Sequence, residues 1–192
     1  TATQKCLLLV ISKDNFGKFI SQKPSLEDSM MRGTKRFLLQ RYAAMKSSIF
    51  YGLQEEYMLA CSRKAKFVNY TAGDVVYSIG DKPKAFYLVA HGELNLDSDI
   101  NGEPARVLRT GSYFGEVGML LPNTPCIATI TCREDCCLLA LDCSDFAATF
   151  ERNESVRVEL LIRLMRKTCT VEAILQHGRA HRLFVDYLLE HF

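Results

Sequence analysis

No aliphatic run in this chain is longer than Leu7 to Ile11, far short of the roughly 20 residues needed to cross a bilayer. No charge sign dominates either: 24 Lys and Arg stand against 22 Asp and Glu, a net +2. That balance gives no electrostatic drive toward nucleic acid or anionic membrane. With 48% hydrophobic residues, the composition excludes a disordered or collagen-like chain. The opening Thr1-Ala2-Thr3-Gln4-Lys5 runs straight into Cys6, so no signal peptide or transmembrane segment is expected and the placement read is cytoplasmic. Gly-rich phosphate loops, nucleophile elbows and acid–base pairs are lacking, so no catalytic residue and no enzyme activity is expected of this segment. What remains is a chain of 192 residues, sized for one full domain with extra elements or two small ones. Such a chain buries roughly 70% of its unfolded surface without a metal or disulfide.

The eight cysteines are Cys6, Cys61, Cys126, Cys132, Cys136, Cys137, Cys143 and Cys169, and none forms a C-x2-C pair. A zinc site is therefore not expected. Most lie in apolar stretches, where a free thiol behaves as a small hydrophobe. Adjacent Cys136 and Cys137 on a strand point to opposite faces, which argues against a simple redox pair. His177 and His181 have helical metal-pair spacing, but no third ligand lies between them and Gly178 interrupts the turn.

A repeat organises the chain. Cys6-Leu7-Leu8-Leu9-Val10, with Asp14 and Phe16 following, recurs as Cys137-Leu138-Leu139-Ala140-Leu141 with Asp145 and Phe146. The offset is 131 positions at the strand and 130 at the phenylalanine. Both copies read as a short strand entering a helix, with Ser12 or Ser144 as a candidate cap. A repeat of that length is a domain-sized unit. The predicted organisation is therefore residues 1–30 as the last strand and helix of a preceding domain, 31–169 as a complete second copy, and 170–192 as a helical tail.

From Ser25 to Lys64 the pattern is helical: Phe37, Leu38, Tyr42, Met45, Ile49 and Phe50 share one face until Gly52 breaks the run. After Phe67 glycines recur between short strand-like runs: Val75–Tyr77, Ala85–Ala90, Glu93–Leu96, Arg106–Leu108, Ile127–Cys132 and Cys137–Leu141. Asn101-Gly102 is a hairpin signal. From Ser144 the chain is helical again, with Val156, Leu160, Leu161, Leu164 and Met165 as an apolar stripe. The predicted fold is α+β: an antiparallel β-sandwich or jelly-roll barrel flanked by N- and C-terminal helices.

The strand pattern ends in Gly111-Ser112-Tyr113-Phe114-Gly115-Glu116-Val117-Gly118-Met119-Leu120, then Thr124-Pro125-Cys126-Ile127-Ala128-Thr129-Ile130. Here the chain resembles the cyclic-nucleotide-binding domain family, whose cassette reads F-G-E-[LMV]-[AGS]-L, a spacer, then P-R-[AST]-A-T-[VI]. Ala72-Gly73-Asp74-Val75-Val76, Ile79-Gly80-Asp81 and Phe86-Tyr87-Leu88-Val89 with Gly92-Glu93-Leu94 match the family's earlier strands and turns. The resemblance covers residues 37–169. It implies ligand-binding candidates Phe114, Gly115, Glu116, Val117, Gly118, Cys126, Ile127, Ala128 and Thr129. In this family the carboxylate, here Glu116, accepts hydrogen bonds from the ribose hydroxyl, and an arginine pairs with the cyclic phosphate.

The arginine's position holds Cys126, and no Lys or Arg lies between Tyr113 and Cys132. Glu116 and Cys126 are also ten positions apart, one more than usual in the family. Losing a charge-assisted hydrogen bond costs ~1.5–3 kcal/mol, about tenfold to a hundredfold in affinity. Between Glu151 and Leu183 no aromatic is available to cover a purine, which leaves Leu160 or Leu161 as an aliphatic lid. Ile127, where a threonine in the family helps select guanine, gives no guanine preference. Three readings stay open: a degenerate pocket serving as an allosteric relay or scaffold, a pocket for a nucleoside held through Glu116, and ordinary cAMP or cGMP binding. Cys126 is read as a passive replacement, with a redox-sensing thiol as the sharper alternative, since N–H groups at a vacated anion site favour thiolate.

The tail, Thr170 to Gln176 and then Leu183-Phe184-Val185-Asp186-Tyr187-Leu188-Leu189-Glu190, resembles the first helices of a regulator-of-G-protein-signalling domain. The family resemblance implies a regulatory module of a larger signalling protein, such as a cyclic-nucleotide-dependent kinase. Its expected partners are neighbouring domains of the same chain, the preceding copy and a downstream effector, with a cyclic nucleotide or nucleoside as ligand and no further cofactor. A DNA-binding regulator is the reading of another class. Acidic residues among the C-terminal helices offset the basic ones there, so no recognition helix and no nucleic-acid partner is expected.

Overall fold

The structure is a computed structural model and describes residues 10–46, 48–97, 106–121, 124–150 and 153–168. Residues 1–34 and 35–192 form two compact units. In the first unit, α1 (Lys13–Ser21) starts behind Ser12, whose hydroxyl accepts a hydrogen bond from the Asn15 N–H at 3.3 Å. This is an ordinary N-cap. α1 buries no residue. α2 (Pro24–Ala44) opens on a proline, whose fixed φ and missing N–H suit the first helical position.

In the second unit α2 brings Leu39 and Tyr42 into the core. The helix ends at Ala44, short of the Phe50 that the apolar spacing predicts. Four successive i+3 turn bonds run from Met45 to Leu53, and the Ser48 hydroxyl accepts from the Phe50 N–H at 3.0 Å. A serine that satisfies the backbone locally competes with helix continuation. Ile49 and Phe50 are buried all the same, from a turn instead of a helix face. α3 (Glu55–Lys64) follows.

Among the described residues eight strands come next: β1 (Lys66–Tyr70), β2 (Val75–Tyr77), β3 (Ala85–His91), β4 (Leu94–Asp97), β5 (Arg106–Leu108), β6 (Tyr113–Phe114), β7 (Thr129–Cys132) and β8 (Cys136–Asp142). The short helix α4 (Glu116–Leu120) lies between β6 and β7. One sheet has the order β1-β8-β3-β6 and the other β2-β7-β4-β5, with every pairing antiparallel. The α+β sandwich expected from the glycine-spaced runs is the fold observed. Asn101-Gly102 and residues 170–192, with His177 and His181, lie outside the described residues.

β3 and β8 are buried along most of their length because both faces of their sheet are covered. Side chains alternate across a strand. Ala85, Tyr87, Val89, Leu138 and Ala140 therefore join the cluster between the sheets. Phe86, Leu88, Leu139 and Leu141 join the cluster under the helices. There α5 (Cys143–Phe150) contributes Phe146 and Phe150, and α6 (Glu154–Thr168) contributes Leu160 and Leu161. Cys136 falls in the inter-sheet cluster, whereas Cys137 is only half-buried, so the two thiols do part to opposite faces. The six described cysteines are free.

β2 is flanked by two turns of one design. In Thr71–Asp74 and Ser78–Asp81 the third residue is a glycine at φ +88°, and the aspartate N–H donates to the carbonyl of the first residue at 3.1 Å. Each aspartate carboxylate accepts from the first residue's N–H, at 2.7 Å for Asp74 and 2.8 Å for Asp81. The glycine N–H and aspartate carbonyl then clasp one residue opposite: Gly73 and Asp74 hold Cys132, and Gly80 and Asp81 hold Cys126, all four bonds at 2.8 Å. The turns are seven residues apart and the clasped cysteines six. The register shift between Val75 and Tyr77 absorbs the difference.

Candidate functional site

The cassette is positioned from β3. Tyr87 pairs with Phe114 and Leu88 with Tyr113, which delivers the chain to Gly115 at φ +86°. A side chain there is excluded twice over. Positive φ strains L residues, and a Cβ would stand 2.5 Å from the Ala85 carbonyl oxygen. Within α4 the Met119 N–H donates to the Gly115 carbonyl at 3.2 Å and the Leu121 N–H to Val117 at 2.8 Å. Met119, Leu120 and Leu121 are buried under the helices. α4 is thus tied to the start of β3 on one side and to the helical core on the other.

The structure gives the nine predicted residues different jobs. Phe114 is core: it stacks on Tyr87 with ring centroids 5.0 Å apart, inside the sandwich. Ala128 is buried. Gly115 and Gly118 permit close backbone approach. The Thr129 hydroxyl accepts the Ile79 N–H at 3.1 Å, a bond that supports the second β2 turn. Glu116, Val117, Cys126 and Ile127 are half-buried.

Tyr77, which is not among the nine predicted residues, connects the two halves of the cassette. Burial raises its phenol pKa well above the ordinary value, and both Glu116 and Cys126 lie within electrostatic reach and raise it further. The ring packs on Phe114 with centroids 5.8 Å apart. An aromatic closing β2, directly before the Ser78–Asp81 turn that clasps Cys126, was the available signal. Glu116 also acts on Tyr42, whose phenol burial pushes up most strongly. The Tyr42 hydroxyl is buried without a hydrogen bond of normal geometry, facing Ser48 and the Ile49 N–H.

Cys126 sits where the family pattern places a cation. Its N–H donates to the Asp81 carbonyl and its carbonyl accepts from Gly80, so both backbone groups are already used. Burial raises its thiol pKa first and the Asp81 carboxylate second; its own N–H and Lys84 pull back by less. The thiolate-favouring environment that a vacated anion site implies is therefore not what Cys126 has. Desolvation and a carboxylate prevail there, and the thiol is held protonated. Cys143 is nearby: its thiol lies 3.7 Å from the Gly118 carbonyl and is pushed up to about 11, chiefly by burial. Leu160 and Leu161, read as an aliphatic lid, are instead buried with Leu39, Tyr42 and Phe150 under the helices.

Among the described residues no group of His, Cys, Asp and Glu is arranged to hold a metal ion. No described helix is long and apolar enough to cross a membrane.

Comparisons with known proteins agree with this architecture. The family model described as "Cyclic nucleotide-binding domain" matches residues 67–153. The cGMP-dependent protein kinase of Plasmodium berghei (strain Anka) is 31% identical over 111 residues, covering 57% of this chain and 13% of that protein. The cAMP-dependent protein kinase regulatory subunit of Blastocladiella emersonii is 29% identical over 140 residues, covering 66% of this chain and 34% of that one. The chain thus spans about a third or less of the length of these relatives. Among solved structures, the regulatory domain of Toxoplasma gondii PKA with cAMP superposes with a TM-score of 0.55 at 20% identity, covering 72% of this chain and 51% of that one. With the sandwich, the Gly115–Leu120 cassette and its clasped second segment in place, residues 67–153 match the cyclic nucleotide-binding domain in both sequence and fold.

Proposed function

We infer that this domain is a regulatory, non-catalytic module of a longer cytoplasmic signalling protein, and that its cassette works as an allosteric relay or scaffold with a weakened phosphate contact. The observation that carries this reading is Cys126. The position of the phosphate-pairing arginine holds a half-buried thiol kept protonated by burial and by Asp81. A cyclic phosphate brought there meets a carboxylate before it meets a cation. The missing charge-assisted bonds weaken binding by about tenfold to a hundredfold.

In such a module the flanking helices carry the output. α5 and α6 share one buried cluster with Met119 and Leu120 of the cassette helix and with Leu121, which caps it. Any event that moves α4 is therefore felt by both helices. Coupling of this kind requires the two helix arrangements to differ in affinity for the ligand or neighbour that sets them. The neighbours of this reading are other domains of the same chain: a preceding copy and a downstream effector such as a kinase.

Glu116 beside Tyr77 supports a second reading, a ligand with sugar hydroxyls and no phosphate, such as a nucleoside. Calorimetric titration with cAMP, cGMP, adenosine and inosine tests both, on wild type and on Cys126→Arg. The relay reading expects cyclic-nucleotide binding weaker than micromolar in wild type and a gain of about tenfold to a hundredfold in Cys126→Arg. Micromolar or tighter cyclic-nucleotide binding by wild type overturns it. Tight nucleoside binding that disappears in Glu116→Ala establishes the second reading instead.

A further inference from the structure

The fold brings Lys84 to the cassette from outside the cassette's own sequence. It stands between two residues that press on the cassette helix. Pro83 before it lies against Gly118, and the carbonyl of Ala85 after it would stand 2.5 Å from a Cβ at Gly115. The Lys84 carbonyl accepts the Cys143 N–H at 2.9 Å, which holds its backbone beside the first residue of α5. The Cys143 thiol in turn lies 3.7 Å from the Gly118 carbonyl.

The nearby carboxylates are already engaged. Asp142 and Asp145, on either side of Cys143, pair with Lys66 at 3.3 Å and Lys64 at 3.2 Å. Asp81 is tied into its own turn, where it accepts the Ser78 N–H at 2.8 Å. Lys84 is exposed, and among the described residues no ion pair engages it. Its charge reaches Cys126 all the same, where it opposes what burial and Asp81 do to the thiol. Lys84 thus acts on the very position that lacks the arginine. Its flexible aliphatic stem lets the ammonium follow an incoming anion, which the fixed Asp81 carboxylate does not do.

We propose that Lys84 supplies the cation missing at residue 126, pairing as a single mobile charge with the phosphate of a phosphate-ester ligand in the cassette. The proposal rests on the weakened-phosphate reading above and names the residue that keeps part of the contact. An ammonium lacks the planar fork of a guanidinium, and an exposed pair is screened by solvent. The contact therefore recovers only a fraction of what arginine gives.

Calorimetric titration of the 192-residue chain with cAMP up to millimolar concentration tests it, on wild type, Lys84→Gln, Lys84→Arg and Lys82→Gln. Lys84→Gln is expected to weaken cAMP binding by roughly threefold to tenfold and to leave adenosine, which has no phosphate, unaffected. Lys84→Arg should bind cAMP at least as tightly as wild type. Lys82→Gln removes the same charge on the other side of Pro83 and should match wild type. Equal cAMP affinity in wild type and Lys84→Gln overturns the proposal, as does a wild type that binds no cAMP; the relay reading survives both results. Micromolar wild-type binding overturns the relay reading alone, and Lys84→Gln decides the proposal as before. A second readout needs no ligand: the ratio of Cys126 alkylation rates by iodoacetate and by iodoacetamide. Thiolate content affects both reagents equally, so the ratio isolates attraction for the anion. A fall of roughly threefold in Lys84→Gln is expected, and an unchanged ratio overturns the proposal.

Discussion

Gly118 lies against Pro83 so closely that a Cβ on the glycine would stand 2.1 Å from the proline Cβ and 2.6 Å from its Cγ. This contact fixes the height of the cassette helix above the start of β3. Gly118→Ala is expected to cost ~1–3 kcal/mol by overpacking, read as a lower urea midpoint with unchanged slope. Pro83→Gly in the same chain, which removes the opposing Cβ, is expected to restore part of the loss. Additive losses in the double variant would show that the two residues do not press on each other.

The Cys126 thiol gives a chemical readout of the same neighbourhood. Its pKa is raised by burial and then by Asp81, which lowers the share of reactive thiolate at pH 8. Asp81→Asn is expected to speed alkylation of Cys126 at that pH, and Lys84→Gln to slow it, with mass spectrometry resolving the residue. Equal rates in all three proteins would remove the electrostatic account.

Stability is expected to fall on the alkaline side. Burial pushes the Cys61 and Cys132 thiols up to about 12 and Cys143 up to about 11, from an ordinary 9. The folded state keeps these protons while the unfolded state releases them, so stability is full below pH 9 and declines from there toward pH 11–12. The slope is up to about 1.4 kcal/mol per pH unit for a fully buried thiol such as Cys61. Urea midpoints at pH 7, 8.5 and 10 measure it; a flat profile refutes it, and Cys61→Ala should make the profile shallower.

Arg163 clamps α6 to the turn that ends the α2 connection. Its guanidinium donates to the Ile49 carbonyl at 3.4 Å and to the Tyr51 carbonyl, and it pairs with Glu159 one helical turn back. Arg163→Lys keeps the charge and loses the fork. Faster amide exchange over residues 155–163 is expected, with a loss of ~1–2 kcal/mol in local opening free energy. Unchanged exchange would mean that Leu160 and Leu161 alone hold the helix.

Much of the sandwich was legible because its strands are short and punctuated. Arg106–Leu108 and Val75–Tyr77 coincide with β5 and β2, and the other runs fall within a few residues of theirs. β1 went unseen because Lys66–Tyr70 follows α3 with a single residue between them and no turn signal. α2 ends at Ala44 although the apolar spacing continues to Phe50, because Ile49 and Phe50 hold helical spacing by position while Ser48 bends the backbone. At the cassette, Glu116 and Cys126 were legible as a carboxylate kept and a cation lost. Tyr77 was not, because its neighbours there come from β6, α4 and the segment after Pro125, and no local pattern brings those together.

The clasp on residue 126 has an evolutionary corollary. Gly80 and Asp81 grip only the N–H and carbonyl there, groups that every residue except proline supplies, so the identity of the side chain is uncoupled from the path of the chain. A sensor that loses its arginine at such a position keeps its architecture intact. Exchange of the side chain at residue 126, to arginine included, therefore leaves the scaffold standing.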